Sequence, residues 1–134
     1  MRYVIRYSIA AVLVLLLNGS VALAETVPVQ DDLKQTIDYL LDSVARSDAS
    51  FIRNGQTYTP KEAAAHMKTK YDYFKWMIKT PEDFIRLAGS RSLLSGRPYL
   101  VKTKDGKEIE AADWLGKVLS DYRAAQKDSQ REKR

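Results

Sequence analysis

The chain has 134 residues, of which 45% are apolar and 29% charged, with 22 Lys and Arg, 17 Asp and Glu, one His and no Cys. This balance is typical of one small packed domain and excludes both a disordered polar tract and a polytopic membrane protein. A single His and no Cys exclude a thiol nucleophile, a disulfide framework and a multi-His or Cys-rich metal site within one chain. We therefore predict no metal and no cofactor.

The first 24 residues have the pattern of a cleaved signal peptide. Arg2 and Arg6 precede the apolar run Ile9–Leu17, and Ala22-Leu23-Ala24 places small residues where signal peptidase requires them. The apolar run has about half the length that spans a bilayer. We expect cleavage before Glu25, export to the periplasm and no stable membrane insertion afterwards. A retained membrane anchor is the alternative.

The charge of the remaining chain argues against a nucleic-acid partner. Without the signal peptide, 20 basic and 17 acidic residues remain, and the basic excess lies from Lys117 onward. A nucleic-acid binder needs a basic face that neutralises several phosphates. A nearly neutral body with a modestly basic end does not supply one, so we predict no nucleic-acid binding.

The first predicted elements are a helix and a hairpin. Apolar residues at helical spacing follow the capping residue Asp32 and predict helix one over about Asp32–Arg46. The segment Phe51–Tyr58 contains Asn54-Gly55 between β-forming residues, which is the signal of a type I′ hairpin.

Two proline-marked helix starts come next. Thr59-Pro60 with Glu62 three residues after the cap predicts helix two, which should run to about Ile78. Thr80-Pro81 repeats the device and predicts a short helix three that stops at Gly89.

The last part of the chain contains a loop, a second hairpin and a fourth helix. Ser90–Pro98 is rich in Ser and Arg, and Tyr99–Ile109 contains Asp105-Gly106, a second type I′ signal. Helix four follows and should end near Tyr122, before a charged, disordered tail at residues 123–134. We predict an α+β fold, mostly α, with about four helices and two short β-hairpins in one domain over residues 25–122.

Helix two also carries a candidate acid–base pair. Glu62 and His66 are one turn apart, and a carboxylate there can fix the tautomer of an imidazole and raise its pKa. The alternative is that Glu62 caps the helix and His66 bonds a nearby loop, and we favour it over catalysis. A metal on one imidazole and carboxylates would be weakly held.

Seven short blocks of residues follow one another along the chain. They are Phe51-Ile52-Arg53-Asn54-Gly55, Tyr58, Glu62-Ala63-Ala64-x-His66, Lys70-Tyr71-Asp72-Tyr73, Thr80-x-Glu82-Asp83-Phe84-Ile85, Ser95-Gly96-x-Pro98-Tyr99 and Asp113-Trp114-Leu115. In this order the blocks resemble the YfeK-like family of small exported bacterial proteins, a domain of unknown function. The resemblance covers about residues 49–119 and implies an exported one-domain protein without implying an activity.

One departure from the family pattern concerns cysteine. Many members carry one Cys two residues before the Phe-Ile-Arg-Asn-Gly block and another in the strand after Gly-x-Pro-Tyr. Here these positions are Ala49 and Thr103. The resemblance therefore implies that the two segments are neighbours in the fold, and the departure removes a disulfide and casts doubt on a redox role.

The blocks also suggest a binding site, because several of their polar residues converge if the first hairpin and the Ser-rich loop pack near the start of helix two. These candidate ligand-binding residues, which we call the polar face, are Arg53, Asn54, Tyr58, Glu62, His66, Ser95 and Tyr99. Unpaired amides at the helix start, with Arg53 or Arg97 alongside, would receive a carboxylate or another small anion. Alternatively, Arg53 and Asn54 only hold the turn, and Ser95-Gly96 closes the loop.

We predict an exported, non-enzymatic accessory or binding protein that engages a protein or an envelope component through the polar face. No residue is assigned a catalytic role. The alternative function is a small periplasmic hydrolase using His66 with Ser92 or Ser95 and Glu62. The sequence contains neither a Gly-x-Ser-x-Gly nor a Ser-x-x-Lys motif, which disfavours the hydrolase.

Overall fold

The computed structural model describes residues 32–134, and the predicted signal peptide lies outside them. This part of the chain folds as an α+β domain, mostly α, as the sequence predicted. The helices and strands, in chain order, are α1 (Leu33–Arg46), β1 (Ser50–Arg53), β2 (Gln56–Tyr58), α2 (Pro60–Phe74), α3 (Pro81–Phe84), a π-helical turn (Ile85–Gly89), β3 (Leu100–Lys102), β4 (Glu108–Glu110) and α4 (Ala111–Glu132).

The helix starts form where the capping residues predicted them. The Asp32 carboxylate accepts from the first amides of α1. At α2, the Thr59 hydroxyl accepts from the Glu62 amide at 3.3 Å, and the Glu62 carboxylate accepts from the Thr59 amide at 2.8 Å. Thr80 and Asp83 make the same reciprocal pair at α3. Each of these reciprocal pairs is a capping box. It provides partners for backbone amides that have none within the helix, and this fixes where the helix begins.

Helix two ends earlier than predicted, and helix three differs in the type of its second half. α2 ends at Phe74 instead of near Ile78, and a tighter turn follows, in which the Met77 amide donates at 2.8 Å to the carbonyl of Phe74, three residues before it. The short third helix does stop at Gly89, but its second half, Ile85–Gly89, is a π-helical turn. The spacing of apolar residues correctly places Ile78 in the core. It does not distinguish a regular α-helix from the tighter turn after Phe74 or from the wider π-helical turn at Ile85–Gly89.

Gly89 packs directly against α4. A Cβ added at Gly89 would lie 2.5 Å from Cδ1 of Leu115, whose side chain is fully buried and has no room to move. We expect Gly89→Ala to lower the free energy of unfolding by about 1–3 kcal/mol. Gly116→Ala is the control, since a Cβ there meets nothing within 4 Å, and it should raise stability by about 0.5–1 kcal/mol. Urea denaturation measures both, and equal effects would contradict the close packing at Gly89.

The two predicted hairpins join into one antiparallel sheet of order β2-β1-β3-β4. In the first hairpin, Asn54 (φ 50°) and Gly55 (φ 78°) both have positive φ, as a type I′ turn requires. The type I′ prediction for the second hairpin is wrong, because only Gly106 has positive φ. There the Gly106 amide donates to Thr103 and the Thr103 amide to Lys107, the pattern of a three-residue loop that ends in a glycine bulge.

The central pair of strands connects the sheet to the core. Ser50, Phe51 and Ile52 of β1 lie opposite Lys102, Val101 and Leu100 of β3. The buried residues of this pair pack with those of the helices. The fully buried apolar residues are Ile37, Leu40, Val44, Phe84, Ala88, Val101, Ala111 and Leu115. The antiparallel register also sets the Asn54-Gly55 turn beside the start of β3 and therefore beside the Ser-rich loop.

The last helix extends further than predicted. α4 continues to Glu132, so the segment expected to be disordered, residues 123–134, is helical over most of its length. Good helix formers favour this, and Arg123 pairs with Glu82 of α3 at 2.5 Å. Nearly all residues beyond Arg123 are nevertheless exposed. No helix among residues 32–134 has the length and apolar character needed to cross a membrane.

Candidate functional site

A cavity of about 310 Å³ lies between the first hairpin and α2. Its walls are mainly apolar, and its polar groups come from three separate segments of the chain. The lining residues are Phe51, Ile52, Arg53 and Tyr58 of the hairpin, Glu62, Ala63, Ala65, His66 and Met67 of α2, and Tyr99 just before β3. Five of the seven residues of the polar face therefore line one cavity.

Arg53 is the central polar residue of the cavity. Its Nη1 lies 2.7 Å from Nδ1 and 2.6 Å from Nε2 of His66, and its Nη2 donates to the Tyr58 hydroxyl at 3.3 Å. The guanidinium carbon also lies 5.0 Å from the centre of the Tyr58 ring. A guanidinium only donates hydrogen bonds, so its contact with His66 requires a lone pair on the imidazole. The geometry therefore favours a neutral His66.

The charges around His66 favour the neutral form as well. Burial, followed by the positive charges of Arg53 and Lys70, lowers the pKa of His66. When Arg53 donates to Nδ1, the proton of the neutral ring is on Nε2, which lies 3.1 Å from the Tyr99 hydroxyl and donates to it. Both ring nitrogens thus have contacts within the cavity wall, and no acidic side chain of residues 32–134 is hydrogen-bonded to the imidazole.

Lys70 is a buried cation behind Tyr99. Lys70 is only 7% exposed to solvent. Its Nζ donates to the Arg91 carbonyl at 2.7 Å and to the Tyr99 hydroxyl at 3.3 Å. Burial first, and then the charge of Arg53, lower the pKa of Lys70 from 10.5 to about 8. The ammonium group of Lys70 therefore has hydrogen-bond acceptors. Because both acceptors are neutral, they do not compensate its positive charge.

This lowered pKa predicts a pH dependence of stability. The unfolded chain keeps Lys70 protonated up to about pH 10.5, whereas the folded chain releases the proton from about pH 8. Between these values the unfolded state binds more protons, so the Lys70 contribution to stability rises with pH. We expect the stability of the wild type, measured relative to Lys70→Met, to increase between pH 8 and pH 10 in urea denaturation.

Lys68→Met is the matched control for this pH dependence. Lys68 is an exposed lysine on the same helix, paired with Asp72 at 2.6 Å. Its substitution should leave the stability difference from the wild type nearly constant over the same pH range. A flat difference for Lys70→Met as well would contradict the burial of a charged Lys70.

Arg53 and Lys70 have no carboxylate as an ion-pair partner within residues 32–134. None of the ion pairs of these residues involves either cation. Glu62 lines the cavity, but its Oε2 accepts from the amide and hydroxyl of Thr59, and these bonds lower the Glu62 pKa. Glu62 therefore caps α2, and the favoured alternative of a capping Glu62 with His66 bonded elsewhere agrees with these contacts.

The two remaining residues of the polar face connect the first hairpin to the Ser-rich loop. The amide group of Asn54 donates to Ser92 Oγ at 3.3 Å and accepts from Ser95 Oγ at 2.6 Å. Gly96 closes the loop with a φ of 68°, and its amide donates to the Ser92 carbonyl. Asn54 and Ser95 thus fix the position of the loop next to the cavity without lining it.

The start of α2 provides fewer unpaired amides than expected. The capping box occupies the Glu62 amide, Pro60 has no amide hydrogen, and the Ala63 amide donates to the Thr59 carbonyl, so that only the Lys61 amide of the first turn has no hydrogen bond within residues 32–134. Arg97 is exposed and is not among the residues that line the cavity. The positive charge at the cavity comes from Arg53 of β1, with Lys70 of α2 behind Tyr99, and the anion site at the helix start stays a prediction.

Lys70 is the residue that the sequence interpretation missed. It lies one turn after His66, but the sequence interpretation considered only Glu62 and His66 on this side of helix two. The i, i+4 spacing of Glu62, His66 and Lys70 was the available signal. That spacing places the three residues along one line of the helix, and only the fold shows that Lys70 is buried.

The contacts also bear on the acid–base chemistry considered from sequence. Arg53 takes the imidazole lone pair that a general base needs, and neither Ser92 nor Ser95 has a hydrogen bond to His66. Within residues 32–134, no group of three or more His, Cys, Asp or Glu residues is arranged to hold a metal ion. The site is suited to binding an anion more than to activating a nucleophile.

The chain belongs to a family of small proteins without an assigned activity. Residues 31–123 match the family of unknown function DUF5329. Over 64 residues the chain is 34% identical to an uncharacterized protein, YfeK, of Salmonella typhimurium, an alignment that covers 47% of this chain and 53% of the relative. The chain thus spans about half the length of the curated relative it matches. These matches confirm the YfeK-like resemblance, and no solved structure is significantly similar to the chain.

Proposed function

We propose that this chain is an exported, non-enzymatic binding protein that engages a protein or an envelope component through the polar face. The observation that carries the proposal is the cavity, where Arg53 lies among mainly apolar walls and has no acidic partner among residues 32–134. An unpaired, partly buried charge costs stability, and such a cost is expected where a ligand supplies the missing partner. Concave, mostly apolar pockets with a few converging polar groups are the usual form of ligand sites.

The surface beside the cavity favours a large partner over a small free ligand. Leu93 and Leu94 lie at the tip of the Ser-rich loop, and Leu94 is 98% exposed. Ser92 holds this loop against the first hairpin through Asn54, so the two leucines adjoin the polar face. Two neighbouring apolar side chains held in water by an ordered loop suit contact with a protein surface or an envelope component.

Affinity capture tests this proposal. The full chain with a C-terminal tag is used to capture envelope extracts, beside the double variant Arg53→Ala, His66→Ala. We expect the wild type to retain a specific partner that the double variant loses. The control is Lys104→Ala, since this exposed lysine lies in the loop after β3, at the opposite end of the sheet from the Asn54-Gly55 turn. Equal recovery by the wild type and the double variant would exclude the polar face as the binding surface.

The hydrolase alternative has its own test. A panel of ester, amide and phosphate substrates is assayed with the wild type and with His66→Ala. The binding proposal expects no turnover that depends on the imidazole. Turnover that is lost in His66→Ala would overturn the non-enzymatic assignment.

Export is the second part of the proposal and rests on the pattern of the first 24 residues. Intact-mass measurement of the chain from a periplasmic fraction should give a mature protein that begins at Glu25. A mass that retains the 24-residue segment would show that the chain keeps its N-terminal anchor.

A further inference from the structure

The chemistry of the cavity indicates what kind of group it binds, provided that the proposed binding function holds. We infer that the cavity takes a carboxylate carried at the end of an apolar group, with the carboxylate on Arg53 and the apolar group against Phe51, Ala63 and Met67.

The need for an anion follows from the charges around the cavity. Among residues 32–134, the groups that Arg53 contacts are neutral, namely the His66 ring and the hydroxyls of Tyr58 and Tyr99, and Lys70 adds a second positive charge behind Tyr99. Glu62, the acidic residue among the lining residues, has its carboxylate on Thr59. An anion that enters the cavity would therefore meet Arg53 directly, with the charge of Lys70 behind Tyr99, and would displace no existing ion pair of residues 32–134.

The shape of the donors favours a carboxylate among anions. The planar guanidinium of Arg53 presents paired N–H groups that match the two oxygens of a carboxylate. In the tautomer that carries the ring proton on Nε2 of His66, the Tyr99 hydroxyl accepts from Nε2 and from Lys70, so its own proton remains for a further acceptor. Burial raises the pKa of Tyr99, which keeps that proton in place. One arginine fork and one hydroxyl satisfy a singly charged carboxylate.

The rest of the cavity selects what the carboxylate is attached to. Phe51, Ala63 and Met67 are buried apolar residues of β1 and α2 that line the same space as Arg53. A volume of about 310 Å³ is at the small end of ligand cavities. It suits one short apolar segment next to the carboxylate. Such a ligand is either the free C-terminus of a peptide with an apolar last residue or a carboxylated amphiphile.

His66 reports the binding directly. With the cavity empty, the cations beside His66 lower its pKa, and a bound carboxylate offsets their charge. Binding must therefore raise the His66 pKa, and by linkage the affinity must increase as the pH falls through that pKa. Because the chain has a single histidine, NMR of the imidazole follows this one residue without ambiguity.

The experiment uses four probes on the purified chain: decanoate, methyl decanoate, an acetylated peptide ending in Val-Leu with a free carboxylate, and the same peptide as its amide. Calorimetry gives the affinity and NMR gives the His66 pKa. At least one free carboxylate should bind and raise the His66 pKa, and its neutral counterpart should bind roughly ten- to a hundredfold more weakly. The source of the carboxylate is decided by which of the two acids binds.

The variant Arg53→Gln should weaken the binding of the acid by a similar factor, while the exposed-site control Lys104→Gln should not. Equal binding of the acid and its neutral counterpart, or no binding of either acid, would overturn the carboxylate inference. If neither acid binds but partner capture still depends on Arg53 and His66, the binding function stands and only the ligand class is wrong. If capture is also unaffected, the binding function fails with it.

Discussion

Replacing Phe84 by alanine should lower the free energy of unfolding by about 3–5 kcal/mol, which is a large share of the stability of a domain of this size. Phe84 is 0% exposed and is the largest of the fully buried side chains. Its ring packs edge-to-face with Tyr71 of α2, with ring centres 6.0 Å apart. Truncation therefore leaves a cavity between α2 and α3 as well as removing the apolar contact.

Phe74→Ala is the matched control for this prediction. Phe74 ends α2 and is only partly buried, so its loss should cost clearly less than the loss of Phe84. Urea denaturation gives the free energy of unfolding of both variants, and the comparison is direct because each replaces a phenylalanine by an alanine. Equal losses would contradict the placement of Phe84 at the centre of the core.

The double variant Ala49→Cys, Thr103→Cys should form a disulfide and become more stable by roughly 4 kcal/mol, because a loop of about 50 residues is closed in the unfolded chain. In the β1–β3 register Ser50 lies opposite Lys102, so the next pair outward is Ala49 and Thr103. Paired residues of neighbouring antiparallel strands have Cα atoms about 4.5–5.5 Å apart, within the range of a disulfide. Both positions also share the face of the buried pair Phe51 and Val101, since side chains alternate along a strand.

The reduced form of the same double variant is the control for this gain. Reduction keeps both substitutions, including the loss of the Thr103 hydroxyl that donates to the Lys107 carbonyl, and removes only the covalent bond. The oxidised form should melt at a higher temperature than the reduced form. Two free thiols in the folded protein under oxidising conditions would contradict this register.

The parts of the fold that the sequence predicted correctly are those set by neighbouring residues. Asn54-Gly55 forms its type I′ turn because both residues tolerate positive φ, and Thr59 with Glu62 caps α2 within one turn of chain. Local signals of this kind do not depend on the rest of the fold. The type of the second turn was predicted wrongly, because Asp105-Gly106 fits more than one hairpin loop, and the hydrogen bond from the Thr103 amide to the Lys107 carbonyl gives a three-residue loop instead.

The pairing of β1 with β3 depends on residues far apart in the chain, and no local pattern determines it. The positions of Ala49 and Thr103 in the family pattern implied that their segments are neighbours, and the register confirms this. The grouping of Arg53, His66 and Tyr99 at one cavity follows from the same pairing. The burial of Lys70 could not be predicted, because it requires the Arg91 carbonyl, 21 residues further along the chain, as its acceptor.

Arg53 and Lys70 favour the neutral form of the single histidine, and no carboxylate of residues 32–134 forms an ion pair with either cation. An NMR pH titration of the His66 imidazole in the wild type and in Arg53→Gln tests it without any ligand. Because the Arg53 charge lowers the His66 pKa, its removal should raise that pKa, while the exposed-site variant Lys104→Gln should leave it unchanged. A His66 pKa that stays the same or falls in Arg53→Gln would show that the guanidinium does not lie against the imidazole.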